Sequence, residues 1–228
     1  TCGEGDELLA LLRTLEPLDV HEIVVAAVSE SAQTRRAALG DPRLRWLDCA
    51  SASRGEQLNR AAGKATGDLL VFLHADTRLP KGALPAVARA LSEEGVAGGA
   101  FRVRFDTRHA VLDLLARLSA STWPATYFGD QVLFCRRRDF EAAGGFAAVP
   151  ILEDVDLAWK LARRGRLVRI ADPVTTSARR FTKAGTLRQL GRNARLLLLH
   201  YLGLPTRAAA AGYRPNSNAR EPDGNKQA

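Results

Sequence analysis

The chain has 228 residues, of which 46% are hydrophobic and 25% charged, and a formal net charge of +8. This length supports one sizeable core and is short for two ordinary domains, and the composition excludes a chain dominated by disorder. The excess charge would suit a nucleic acid, but Arg35-Arg36, Arg136-Arg137-Arg138, Arg163-Arg164 and Arg179-Arg180 are scattered without interleaved aromatics, so no nucleic-acid partner is expected and a diphosphate or an anionic membrane surface fits better.

In chain order, Glu7 to Leu15 sets Leu8, Leu9, Leu11, Leu12 and Leu15 on one helical face. Glu22 to Val28 (EIVVAAV) is a near-continuous apolar run, expected as a strand buried on both faces. A short helix is expected at Ala32 to Leu39 and a strand at Leu44 to Leu47. The polar turn Ala50 to Arg54 then opens a helix running to Ala65 and ended by Gly67-Asp68. Leu69 to His74 (LLVFLH) is the next buried strand, closed by Ala75, Asp76 and Thr77. Farther on, Gly98 to Phe105 and Gln131 to Cys135 read as strands, and Ala110 to Ser121, Arg138 to Ala143, Val155 to Arg164 and Thr186 to Leu202 as helices. Apolar strands alternating with amphipathic helices predict an α/β fold, a mostly parallel doubly wound sheet with helices on both faces.

From Pro205 the composition turns to Ala, then Pro, Asn, Arg and Gly, so residues 206–228 are expected as a flexible tail. Cys2, Cys49 and Cys135 are odd in number and lack CxxC spacing, which argues against a zinc site or a disulfide framework and suits a reducing cytoplasm. No apolar run, Leu196 to Leu199 included, comes near the length of a membrane span. Arg188, Arg192 and Arg195 lead into LLLLHYLGL on one helix, which suits either a buried C-terminal helix with a basic edge or peripheral contact with the inner face of a membrane.

Ligands of open α/β sheets bind beyond the carboxyl ends of the strands, which singles out Asp76. There it can join a hard divalent cation to a diphosphate, or simply cap the turn before Pro80. Glu153 and Asp154 precede a helix with Leu157, Ala158 and Leu161 on its apolar side, where the helix dipole favours ionised carboxylates; ordinary capping is the other reading.

Four segments, in order, carry a resemblance: RGEQLNRAAGKATGDLLVFLHADTRLP (54–80), FGDQVLFCRRRDFEAAGGF (128–146), ILEDVDLAWKLARRG (151–165) and SARRF (177–181). They resemble family 2 glycosyltransferases, most closely the short bacterial branch of transferases associated with radical-SAM and selenium-domain proteins. The resemblance implies a Rossmann-like GT-A fold forming a single domain over residues 1–205, with a nucleotide-binding half at 1–105 and an acceptor half at 106–205. It implies a nucleotide diphosphate sugar donor, an acceptor hydroxyl that could be lipid-linked, and a magnesium or manganese ion. By the same resemblance, His74-Ala75-Asp76 is a DxD-like motif with Asp76 as metal ligand. Asp154 is the general base with Glu153 beside it, Asp130 and Gln131 line the acceptor side, Arg54 and Asn59 meet the nucleotide, and Arg179 and Arg180 close on the diphosphate.

Two departures stand out. The family's first strand, ending near an Asn-Glu pair, is missing, with Gly3-Glu4 at the pair's place. The family's next acidic turn is replaced by Ala26-Ala27-Val28-Ser29, with Glu30 the adjacent carboxylate. The expected function is therefore inverting, metal-dependent sugar transfer. The alternatives are a non-catalytic relative acting as a binding protein, and a nucleotidyltransferase, although no glycine-rich loop follows the first strand.

Overall fold

The computed structural model describes residues 5–28, 30–50, 53–179, 181, 185–202 and 204. It opens on helix α1 (Gly5–Leu15), which buries Leu8, Leu11, Leu12 and Leu15. These pack with Val25 and Ala27 of β1 (Ile23–Ala27), Ala38 of α2 (Ala32–Ala38) and Leu44 of β2 (Leu44–Asp48) into one apolar cluster. Ser31 caps α2, its hydroxyl accepting from the Thr34 amide at 3.0 Å. β1 and β2 run parallel, Ile23 opposite Leu44 through Ala27 opposite Asp48.

Next come α3 (Arg54–Lys64), β3 (Leu69–Phe72), β4 (Thr77–Arg78), α4 (Ala83–Ser92), β5 (Val96–Phe105) and α5 (Ala110–Leu118). Two 3-10 turns, Pro124–Thr126 and Gly129–Gln131, lead to β6 (Leu133–Arg136), α6 (Arg137–Ala142), α7 (Glu153–Ala162), β7 (Arg166–Thr176) and α8 (Thr186–Tyr201). The second sheet has the order β3-β6-β5-β7-β4. Its longest ladder, β5 with β7, is parallel, whereas β6 is antiparallel to both β3 and β5, and β4 to β7.

Period-2 alternation sends side chains of one strand to opposite faces of this sheet. Ala100, Leu133 and Cys135 join Phe72, Phe140, Phe146, Leu157 and Leu161 beneath α6 and α7. Phe101, Val103 and Phe134 join Val87 and Leu91 of α4 on the other face. The expected α/β architecture, sheet strands between helices, is what forms, with parallel pairing in β1–β2 and β5–β7 and antiparallel pairing in the other three ladders.

Local differences have local causes. α7 begins at Glu153, two residues earlier than its apolar periodicity suggests, so both carboxylates lie inside the first turn. α4 and β7 lack a counterpart in the sequence reading. In β7, Arg169 and Asp172-Pro173 interrupt the apolar pattern. The register slips between Phe101 and Val103 of β5, placing Pro173 in a bulge, where its missing N–H costs no ladder bond. The expected tail, residues 206–228, lies outside the described residues. No described helix is long and apolar enough to cross a membrane.

Candidate active site

Two segments distant in sequence meet at the start of α7. Leu152, at φ 67°, brings the chain into the helix, and Val132, at φ 55°, takes it out of the Gly129–Gln131 turn. They are the only non-glycine residues with positive φ among those described. A β-branched residue in that region is strained, by roughly 1–3 kcal/mol, and such strain persists only where surrounding packing enforces it. Both residues are buried.

Between these two points the Gly129 amide donates to Asp154 Oδ2 and the Val155 amide to Oδ1 at 2.8 Å. Glu153 Oε1 faces the Arg54 guanidinium at 3.4 Å. Arg54 opens α3, so this ion pair joins the first turns of α3 and α7. Glu153 and Asp154 are 4% and 8% exposed, far drier than a helix-capping role requires. Burial raises the Asp154 pKa above the usual carboxylate value, with Arg54 and the two amides opposing the shift. Burial, and then the charge of Asp154, raises Glu153 as well, against Arg54.

His74, from the end of β3, closes a third side. A Cβ on Gly129 would lie 2.5 Å from His74 Nε2 and 3.1 Å from Asp154 Oδ2, so the absence of a side chain at 129 lets imidazole and carboxylate approach the same backbone. Arg54, His74, Gly129, Glu153 and Asp154 line a small cavity whose apolar wall is Leu58, Phe72, Leu133 and Phe146. The pocket is thus lined by two buried carboxylates, an imidazole and the partly exposed Arg54 guanidinium.

The remaining expected site residues fall into two groups. Asp76 lies half-buried just beyond β3, two residues after His74, with the Thr77 hydroxyl 3.4 Å from its Oδ1. Among the described residues no cluster of three His, Cys, Asp or Glu side chains surrounds it. Magnesium and manganese sites commonly use one or two carboxylates together with substrate phosphates, so this hard oxygen donor at a strand end fits that chemistry. Asp130 sits in the same 3-10 turn as Gly129, and its charge helps to raise Asp154.

Other expected residues are committed within the protein. Asn59 holds both backbone groups of Phe146, donating to its carbonyl and accepting from its amide, each at 2.9 Å, and so clamps the loop that walls the cavity. Gln131 is buried, and its amide oxygen accepts from Arg169 at 2.6 Å and from the Phe128 amide at 3.2 Å. Arg179 reaches Glu7 of α1, and this contact holds the Glu7 carboxyl below its ordinary pKa despite burial. Arg180 lies outside the described residues.

Arg169 went unnoticed in the sequence. Its guanidinium donates to the carbonyls of Ser121 at 2.8 Å, Thr126 at 2.9 Å and Phe101 at 3.3 Å, as well as to Gln131. It lies 3.7 Å over the Tyr127 ring, and burial lowers its pKa to about 10. One half-buried cation therefore fastens the whole segment from Ser121 to Gln131 that delivers Gly129 to Asp154.

Known proteins share this architecture. The mannosyltransferase PcManGT of Pyrobaculum calidifontis, solved with GDP-Man and Mn2+, is 23% identical at TM-score 0.63, over 78% of this chain and 54% of its own. S. aureus TarS 1-349 with UDP-GlcNAc is 15% identical at TM-score 0.61, over 76% and 56%. Glucosyl-3-phosphoglycerate synthase of Mycobacterium tuberculosis, with Mn2+, UDP and phosphoglyceric acid, is 18% identical at TM-score 0.60, over 90% and 77%. The chain thus spans little more than half the length of the first two, and the likeness establishes a GT-A fold. No curated protein matches the sequence. Residues 6–149, well over half of the chain, match the family model for glycosyl transferase family 2, and the chain belongs to that family.

Proposed function

We propose that the chain transfers a sugar from a nucleotide diphosphate sugar to an acceptor hydroxyl, with inversion and with a divalent metal. The observation that carries this reading is the dry carboxylate pair at the start of α7, opening on a cavity bounded by Arg54, His74 and Gly129. Asp154, its pKa raised by burial, accepts the acceptor proton as the acceptor oxygen attacks the anomeric carbon and the bond to the diphosphate breaks. The Gly129 and Val155 amides aim this carboxylate, and each oxygen keeps a lone pair free of them. Arg54, balanced against Glu153, supplies positive charge at the cavity for the donor phosphates. Asp76 would hold magnesium or manganese, which when bound offsets the charge on the departing diphosphate. Neighbours solved with GDP-Man, UDP-GlcNAc or UDP favour the donor class, and the Mn2+ present with GDP-Man and with UDP in two of them favours the ion.

The test is calorimetric titration of uridine and guanosine diphosphates with and without manganese, followed by a sugar-donor screen. Metal-dependent binding lost in Asp76→Ala, with transfer lost and donor binding kept in Asp154→Asn, is the expected result. Full transfer by Asp154→Asn would overturn the choice of base. Ala26-Ala27-Val28-Ser29 at the end of β1, without a carboxylate before Glu30, favours a second reading as a non-catalytic binding relative. That reading predicts a folded protein with no turnover on any donor it binds.

A further inference from the structure

The exposed apolar side chains are unevenly spread. Leu114 and Leu118, one turn apart on α5, are 55% and 58% exposed, and Trp123, just beyond, is 59% exposed. Trp123 meets Trp159 of α7 edge to face, with centroids 6.5 Å apart, and Trp159 Nε1 donates to the Tyr201 hydroxyl of α8 at 3.0 Å. Tyr201 stands beside Leu198 and Leu202, which are 60% and 61% exposed. A belt of aromatic rings thus links Trp123, Trp159 of α7 and Tyr201 of α8, with exposed leucines on α5 and α8 flanking it. Exposed apolar surface of this kind marks a docking site.

What surrounds the belt selects its occupant. α8 is fixed to the body by buried Leu196 and by His200 Nε2, 3.2 Å from Asp156 Oδ1. Its outward face carries exposed Arg188 and Arg195, followed by Leu198 and, at the C-cap, Leu202. α8 contains no acidic residue, and Arg117 of α5 adds another exposed cation. A protein partner would need an unusually acidic and apolar face to match. An anionic bilayer offers both complements at once: headgroup charge for the arginines, and an interfacial zone that takes Trp and Tyr rings and leucine tips.

We infer that this belt docks the protein onto an anionic lipid surface, with Trp123, Leu198, Tyr201 and Leu202 inserted and the arginines of α8 beside them. The inference goes beyond the catalytic reading and does not depend on it, because binding is measured without donor or acceptor.

The test is sedimentation of the full chain with phosphatidylcholine vesicles, with and without phosphatidylglycerol, at low and high salt. Binding is expected only with phosphatidylglycerol, weakened by salt, with tryptophan fluorescence shifted to the blue. The double variant Leu198→Ser/Leu202→Ser keeps every charge and touches only exposed side chains. Its partitioning should fall by about tenfold or more, since burying even one leucine is worth about that factor. Absence of binding at low salt overturns the inference. So does a double variant that binds as well as the wild type, which leaves only unspecific attraction of a basic protein. Self-association in gel filtration that the same variant abolishes, without vesicle binding, would make the belt an interface between copies instead.

Discussion

Replacing Arg169 with methionine keeps most of the side-chain volume and removes every donor. Five acceptors lose their charged partner: the carbonyls of Ser121, Thr126 and Phe101, the Thr126 hydroxyl and the amide oxygen of Gln131. An unsatisfied buried acceptor costs about 1–3 kcal/mol, but the loosened segment will admit water to some of them. The expected net loss is therefore about 3–5 kcal/mol, the range for breaking a buried charged network from one side. For a chain of this size that lowers Tm by roughly 10 °C. Thermal and urea unfolding followed by circular dichroism measure it directly. Lysine at 169 keeps a charge but cannot fork to diverging carbonyls, so it should fall between wild type and Arg169→Met. A methionine variant within about 0.5 kcal/mol of wild type, the scatter of an ordinary surface change, would refute the view that this cation fastens the segment bearing Gly129.

Gly129→Ala inserts a methyl against His74 and Asp154 and should cost only about 1–3 kcal/mol of stability, because the imidazole can turn aside. In a transfer assay it should lose on the order of 100-fold in rate while still binding donor, as misplaced catalytic groups do. Glu153, its pKa raised above 4.5 chiefly by burial, keeps its proton to higher pH in the folded state than in the unfolded chain. Its contribution to stability therefore declines as pH rises from about 4.5 through the folded pKa. Urea midpoints against pH should show a shallower decline in Glu153→Gln, and superimposable slopes would contradict this. Cys135 is fully buried and its thiol is pushed up to about 12, so peptide mapping should find it unalkylated in the native protein and alkylated once urea unfolds it.

Elements built on local periodicity were legible in the sequence. The leucine face of α1, the apolar run of β1 and the run of β3 ending before Asp76 all form where the pattern puts them. The carboxylates at the start of α7 were legible as a chemical signal, although their dryness was not, because Gly129 and Arg54 arrive from far along the chain. β7 hid because its half-buried cation looks like a surface residue in sequence. The Tyr127 ring and the carbonyls that make Arg169 tolerable inside belong to other elements. Asn59 shows the same limit: its partner lies 87 residues away, and nothing local distinguishes a loop clamp from a nucleotide ligand.

α7 carries Asp154 in its first turn and Trp159 five residues later, against Tyr201. A helix rises 1.5 Å per residue, so these two positions are separated by about 7.5 Å along a rod that cannot stretch. If the Trp123–Trp159–Tyr201 belt seats on a bilayer as inferred, one rigid helix ties Asp154 to that contact, and an acceptor anchored in the same bilayer would have to reach the height this sets.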